Sequence, residues 1–233
     1  MKIIHSISDL GIDSKSKVLI IMPHPDDETA FCAGFITQSC ALGSDVTLCC
    51  MTQGEKSTHR FGVGNNDLGP WRAKELERSS TLMGVKKLVQ KDFPDGLLEQ
   101  HISEMRIFIA KLIKQGSYDL ILTLEPFGVY GHPDHIALTK AVSEVCKSDI
   151  NSPTLLYATV DEHWKASKGA SAMAKIESSP LSPEFCLKLD KEERKIKLES
   201  FKCHGSQFKV DANFVKRWKE RAMLENEFFT LAA

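Results

Sequence analysis

Short apolar runs separated by longer stretches of mixed character set the architecture of this chain. "KVLIIM" (17–22), "DVTLCCM" (45–51), "YDLILTL" (118–124) and "TLLYATV" (154–160) place apolar side chains on both faces of an extended backbone. That is the pattern of strands covered from two sides. Between them, helical spacing runs from about Asp27 to Leu42, onward from near Trp71, over 98–115, and from about His132 to Cys146. Strands alternating with helices predict an α/β fold class, a Rossmann-like and mostly parallel sheet covered by helices on both faces. The Gly- and Asn-rich "HRFGVGNNDLGP" (59–70) reads as a loop, a lid or rim beside a pocket. Polar residues from Glu162 to Pro183 read as a surface excursion, and 190–228 reads as helical. The whole chain, 1–233, is expected to form one domain in which 160–200 is the variable part.

In such sheets ligands gather at the carboxyl ends of the strands. "PHPDDE" (23–28) follows the first of these strands, "MTQGE" (51–55) ends the second, and "LEPFGVYGHPDH" (124–135) follows the third. Three carboxylates and an imidazole at the end of a buried strand repel one another and are costly to desolvate, so a cation is the natural partner. His24 and Asp27 are three apart, and so are His132 and His135. Imidazole and carboxylate suit a borderline divalent ion, which at a catalytic site takes three protein ligands. A lone His-Pro is often only a turn, and acids in a first helical turn often serve only the helix dipole. Two such motifs, each behind a strand, favour the metal.

These residues resemble the LmbE-like, or PIG-L, family of zinc-dependent N-acetylglucosaminyl deacetylases. "PHPDDE" and "YGHPDH" carry the resemblance. "TQGE" (52–55), "RAKEL" (72–76), "FPDG" (93–96) and "HGSQ" (204–207) support it in the expected order. It implies a metal held by His24, Asp27 and His135: zinc, with Fe2+ able to take the same place. It makes Asp26 the general base and His132, in its charged form, the group that assists the oxyanion and the leaving amine. Asp134 either orients His132 and keeps it protonated or simply caps a helix. Tyr130 is a second donor to the oxyanion or a rim aromatic. Arg72 and Asp95 become substrate contacts, against the plainer readings of a surface ion pair and an Asx-turn. Glu55 is placed behind the metal loop, whereas His204 and Gln207 line the pocket or merely end a helix. The implied reaction removes the acetyl group from an N-acetylglucosamine-type conjugate. The alternatives are a metal-dependent hydrolase of a non-sugar amide or a phosphoester, and a metal- or sugar-binding module without catalysis.

Composition narrows the partners. Thirty basic against thirty-one acidic residues provide no net field for nucleic acid or an anionic membrane, and the interspersed charges from Lys188 to Arg221 read as solvated helix faces. The expected partner is a small amino-sugar conjugate, with a homo-oligomer left open. Seven cysteines without a C-x-x-C pair suit buried thiols in a reducing compartment. With no apolar run of signal-peptide or membrane-spanning length, the expected location is the cytoplasm. No Gly-x-Ser-x-Gly elbow is present, which argues against acyl transfer through serine.

Overall fold

The computed structural model describes residues 1–64, 67–149, 152–161, 164 and 180–232. Eight strands form one mixed sheet: β1 (Lys2–Ile4), β2 (Lys17–Met22), β3 (Asp45–Thr52), β4 (Lys87–Phe93), β5 (Leu120–Leu124), β6 (Thr154–Thr159), β7 (Phe185–Lys188) and β8 (Asn226–Leu231), in the order β1-β7-β8-β6-β5-β2-β3-β4. All neighbours are parallel except β8, which runs antiparallel to both β6 and β7. Seven helices are described: α1 (Asp27–Leu42), α2 (Leu68–Leu82), α3 (Ile102–Gly116), α4 (Gly128–Gly131), α5 (Pro133–Lys147), α6 (Lys191–Cys203) and α7 (Ala212–Glu220).

The period of two along β2 sorts its side chains between two apolar cores. Val18, Ile20 and Met22 pack with Phe31 and Phe35 of α1, Phe201 of α6 and Phe214 and Trp218 of α7. Leu19 and Ile21 face the other way, onto Met105, Ile109 and Leu112 of α3 and Leu138 and Val142 of α5. The expected Rossmann-like sheet with helices on both faces is therefore what forms. From β2 the chain crosses to β3 and β4 on one side, and from β5 to β6 on the other. The strands adjacent at that switch, β2 and β5, open a crevice beyond their carboxyl ends.

The C-terminal region departs from its expected helical reading. α6 and α7 occupy part of it, but Asn226–Leu231 is a strand, buried for five of its six residues between β6 and β7. Phe228 and Phe229 are worth more sandwiched in the sheet than on a helix face. Most of the polar excursion, 162–163 and 165–179, lies outside the described residues. The charges of 188–221 are not all solvated either. Lys197 on α6 is fully buried and pairs with the equally buried Glu227 of β8 at 2.8 Å. Glu227 in turn accepts the amides of Gly34 and Phe35 at 2.8 and 2.9 Å, just after α1 breaks helical geometry at Cys32. The carboxylate thus serves as an internal cap, and Lys197 balances its charge.

All seven cysteines are free thiols, and no helix among the described residues is long and apolar enough to cross a membrane. The Lys197–Glu227 pair offers a direct check on the packing. Lys197→Met is expected to destabilise the fold by roughly 3–5 kcal/mol, because it strands a buried carboxylate. Adding Glu227→Gln should recover part of that loss, and urea unfolding of the three proteins measures both. A cost under about 1 kcal/mol for Lys197→Met, the size of an exposed ion pair, would contradict this account.

Candidate metal and catalytic site

The sequence turns sharply where β2 ends, and the backbone shows why. Asp26 caps α1 with φ 114° and ψ −23°, a region non-glycine residues seldom enter. This lets consecutive acids face different partners. Asp27, the first residue of α1, turns into the protein and is almost wholly buried. Asp26 makes no side-chain cap bond, and its Oδ2 lies 3.0 Å from Arg72 Nη2. The "HPDH" segment starts α5 with His132 as N-cap and Pro133 in the first turn, where its fixed φ and missing N–H suit a helix start. His135 then sits one turn in, fully buried.

These two helix starts meet across the β2–β5 crevice. Asp27 Oδ2 lies 3.2 Å from His24 Nδ1 and 3.4 Å from His135 Nε2. On its other side, His24 Nε2 is held by Asp134 Oδ2 at 3.1 Å and Asp95 Oδ1 at 3.2 Å. Those carboxylates are themselves fixed by backbone amides. Asp134 accepts from Gly96 at 2.6 Å and Leu98 at 3.1 Å, and Asp95 accepts from Lys56 at 2.8 Å. With Nε2 committed as a donor to Asp134 and Asp95, Nδ1 is the nitrogen turned toward Asp27 that can give its lone pair to an ion in place of a proton.

The electrostatics are those of a cation site. Burial works to keep the His24 imidazole neutral, yet its hydrogen bonds to Asp134, Asp27 and Asp95 raise its pKa well above the ordinary value. Burial also opposes ionisation of Asp27, but His135 and His24 hold it well below the usual carboxylate range. Positive charge between His24 and Asp27 is therefore strongly favoured. Both ring nitrogens of the buried His135 lack a hydrogen-bond partner among the described residues, a costly state for a polar group unless something else satisfies it. Ligands about 2.0–2.2 Å from a tetrahedral ion lie about 3.3–3.5 Å apart, close to the separations found here. The donor set fits a divalent ion. His24, His132 and His135 form one group with metal-ligand spacing, and His24, Asp95 and Asp134 form another.

Several expected site residues occupy other positions. Asp134 does not orient His132, because its carboxylate is spent on His24, Gly96 and Leu98. Its backbone amide instead donates to His132 Nδ1 at 3.2 Å. Nor is His132 held charged. Burial, reinforced by His135 and His24, pushes its pKa down to about 4. The neutral ring, stacked on His135 at 4.6 Å between centroids, therefore carries its proton on Nε2. Arg72 is buried rather than free at the surface. It binds Gly54 O at 2.8 Å, Pro25 O and Asp26 Oδ2. Gly54 has φ 63°, and a Cβ there would overlap the Arg72 guanidinium. Asp95, expected at a sugar hydroxyl, has both carboxylate oxygens engaged. Glu55, expected behind the metal loop, accepts the Asp95 amide at 2.9 Å. Tyr130 packs edge-on against His135 at 5.2 Å, and burial, with the charges of Asp27 and Asp26, keeps it a phenol.

Burial also pushes Asp26 up to about 7, against the pull of Arg72, so this carboxylate exchanges a proton readily near neutrality. Two glutamates escaped the sequence reading of the site. Glu28 accepts the Asp26 amide at 2.8 Å. Glu125 accepts the amides of Phe127 and Val129, the latter at φ 64°. Only their place at the strand ends, beside the motifs, could have flagged them.

The family profile described as "PIG-L: GlcNAc-PI de-N-acetylase" matches residues 19–146. A probable N-acetyl-alpha-D-glucosaminyl L-malate deacetylase 2 of Bacillus anthracis is 31% identical over 215 residues, 89% of this chain and 88% of that protein. A diacetylchitobiose deacetylase of Thermococcus kodakarensis is 30% identical over 200 residues, 84% and 71% of the two chains. Among solved structures, an N,N'-diacetylchitobiose deacetylase from Pyrococcus horikoshii shares the fold with a TM-score of 0.67 at 21% identity, over 93% of this chain and 84% of that one. With the family profile spanning both strand-end motifs and a relative matching nearly end to end, this chain belongs to the PIG-L family.

Proposed function

We propose that the protein is a metal-dependent N-deacetylase that hydrolyses the acetamide of an N-acetylglucosamine-type conjugate, releasing acetate and a free amine. The observation that carries this reading is the convergence of His24 Nδ1, Asp27 Oδ2 and His135 Nε2, with the carboxylate of Asp26 held next to them by Arg72. His24, Asp27 and His135 would hold the ion, zinc by the nature of its donors or Fe2+ in the same place. When bound, such an ion supplies Lewis acidity and brings water within reach of deprotonation near neutral pH.

The side chains divide the remaining work. Asp26 takes the proton of the attacking water and can return it to the leaving nitrogen, a role suited to a pKa near neutrality. His132 donates its Nε2–H to the carbonyl oxygen as negative charge develops there, aided by the Tyr130 hydroxyl. Asp134 and Asp95 keep His24 in the tautomer that leaves Nδ1 for the ion. Arg72 keeps Asp26 turned toward the reacting atoms. A phosphoesterase would favour a second metal. The second candidate group, His24 with Asp95 and Asp134, suits that poorly, since backbone amides and His24 already occupy its carboxylates. A pure binding module would have no use for a strained turn that presents an acid beside the ligands without being one of them. Relatives named for malate and chitobiose conjugates support an amino-sugar substrate with a variable group attached. The buried thiols and the absence of a spanning helix among the described residues support a cytoplasmic location.

Alanine at His24, Asp27 or His135 is expected to abolish stoichiometric zinc, as read by elemental analysis. Full occupancy after two of these changes would refute the ligand assignment. Asp134→Ala should instead weaken zinc by about 10- to 100-fold, because it frees the His24 ring without removing a ligand. Asp26→Asn keeps the side chain's shape but cannot take a proton. It should lower turnover on diacetylchitobiose by about 10²–10⁴ with zinc retained. An Asp26→Asn protein that lost its zinc would make Asp26 a ligand, and one with wild-type turnover would remove it from the mechanism.

A further inference from the structure

The "HGSQ" segment at the end of α6 has no role in the chemistry described above, yet it reaches the centre of the site. His204 Nε2 lies 2.7 Å from Glu28 Oε1, and both residues are fully buried. The same Glu28 oxygen accepts from Thr29 Oγ1 at 2.7 Å and Ser79 Oγ at 2.9 Å. The other oxygen, Oε2, accepts the backbone amide of Asp26 at 2.8 Å. That amide belongs to the residue at φ 114°, whose side chain Arg72 holds from the opposite side. A non-glycine residue in such a conformation persists only when its surroundings over-determine it.

Ordinary capping does not explain the arrangement, and the molecule contains its own comparison. At the start of α6, Glu193 reaches back to the amide of Asp190 at 2.8 Å in a capping box. There the N-cap has an unremarkable φ of −73° and the bonds are exposed. A helix start therefore needs neither burial nor a histidine, nor a strained first residue. At α1 the glutamate reaches back over two residues instead of three, is itself fully buried beside two other carboxylates, and is balanced by an imidazole 176 positions away. Placing a third negative charge there is costly unless its orientation matters.

We propose that His204, acting through Glu28, is a positioning residue that locks the Asp26 turn and so aims its carboxylate at the reacting atoms. The inference rests on the deacetylase reading for its kinetic consequence but not for its structural one. Without the His204 bond, Glu28 loses its charged partner and its far oxygen is left to the hydroxyls of Thr29 and Ser79 alone, a weaker hold on its rotamer. The Asp26 amide then loses its acceptor, and φ relaxes toward negative values. Asp26 leaves its aim while His24, Asp27 and His135 keep theirs. The C-terminal end of α6 is thereby tied to catalysis without touching substrate.

Two readouts on zinc-loaded protein test this. The first is amide hydrogen exchange at Asp26, followed by NMR. The second is kcat and KM for acetate release from diacetylchitobiose. In His204→Leu, the Asp26 amide should exchange about 10-fold faster or more, with Ile20 and Leu122 in the strands unchanged. Turnover should fall by about 10- to 100-fold, the scale of a lost charge-assisted hydrogen bond, with KM within about 2-fold and zinc retained. His204→Gln restores a donor and should recover part of both losses. Unchanged exchange at Asp26 in His204→Leu would overturn the proposal, as would a turnover loss that merely tracks zinc loss. If His204→Leu does not fold, His204→Gln and Ser79→Ala carry the same comparison with smaller shifts. If the wild type releases no acetate from any sugar amide, the deacetylase reading fails, and the exchange at Asp26 alone decides the role of His204.

Discussion

The orientation of one imidazole underlies the rest of the site. His24 is gripped at Nε2 by Asp134 and Asp95 and faces Asp27 with Nδ1. Each grip comes from a different part of the fold. Asp27 starts the helix after β2, Asp95 lies in the turn after β4, and Asp134 lies in the first turn of the helix that follows β5. A buried histidine with three carboxylate neighbours is tolerable only if positive charge accompanies it. His135, buried with no hydrogen bond among the described residues, completes the demand from the other side of Asp27. The parallel sheet supplies the geometry by placing all these turns at one edge, on either side of the switch between β2 and β5.

Around this centre the protein repeats a device. Two non-glycine residues with positive φ, Asp26 and Val129, stand in the two loops that build the site. Each has its amide held by a buried glutamate, Glu28 in one case and Glu125 in the other. Strained backbone brings acids and imidazoles closer than relaxed helix starts allow, and the buried carboxylates stabilise that strain. Arg72, fixed against Gly54 and Pro25, adds the charge that keeps so many acids together. The cluster of carboxylates that looks unreasonable in the sequence is reasonable once each is matched to its donors.

What the sequence reveals follows the same logic. The buried strands β2, β3, β5 and β6 are legible because both faces are apolar. The two helix starts are legible because His, Pro and Asp recur with a spacing of three. β1 and β7 have only three and four residues, and β4 is a half-buried edge strand that mixes Lys, Gln and Asp with its apolar positions. None of these carries a clear period. β8 looks helical because it follows two charged amphipathic helices, and only its place between β6 and β7 makes it a strand. In the site, residue types announce a metal, but the pairing of side chains across the fold is invisible in one dimension. Arg72, Asp95 and Asp134 look like groups free for substrate or for His132. In the fold they are committed to Asp26 and His24, a commitment set by contacts spanning 46 to 110 positions.

In the proposed site a single ion sits where Asp27 meets His24 and His135. Anomalous diffraction at the zinc edge, on crystals of zinc-loaded protein, locates that ion. One peak bonded to His24 Nδ1, Asp27 and His135, with Asp134 and Asp95 still on His24 Nε2, is the expected result. A peak bonded to Asp95 and Asp134 on the other side of the His24 ring would contradict the account, and with it the roles given to Asp26 and Arg72.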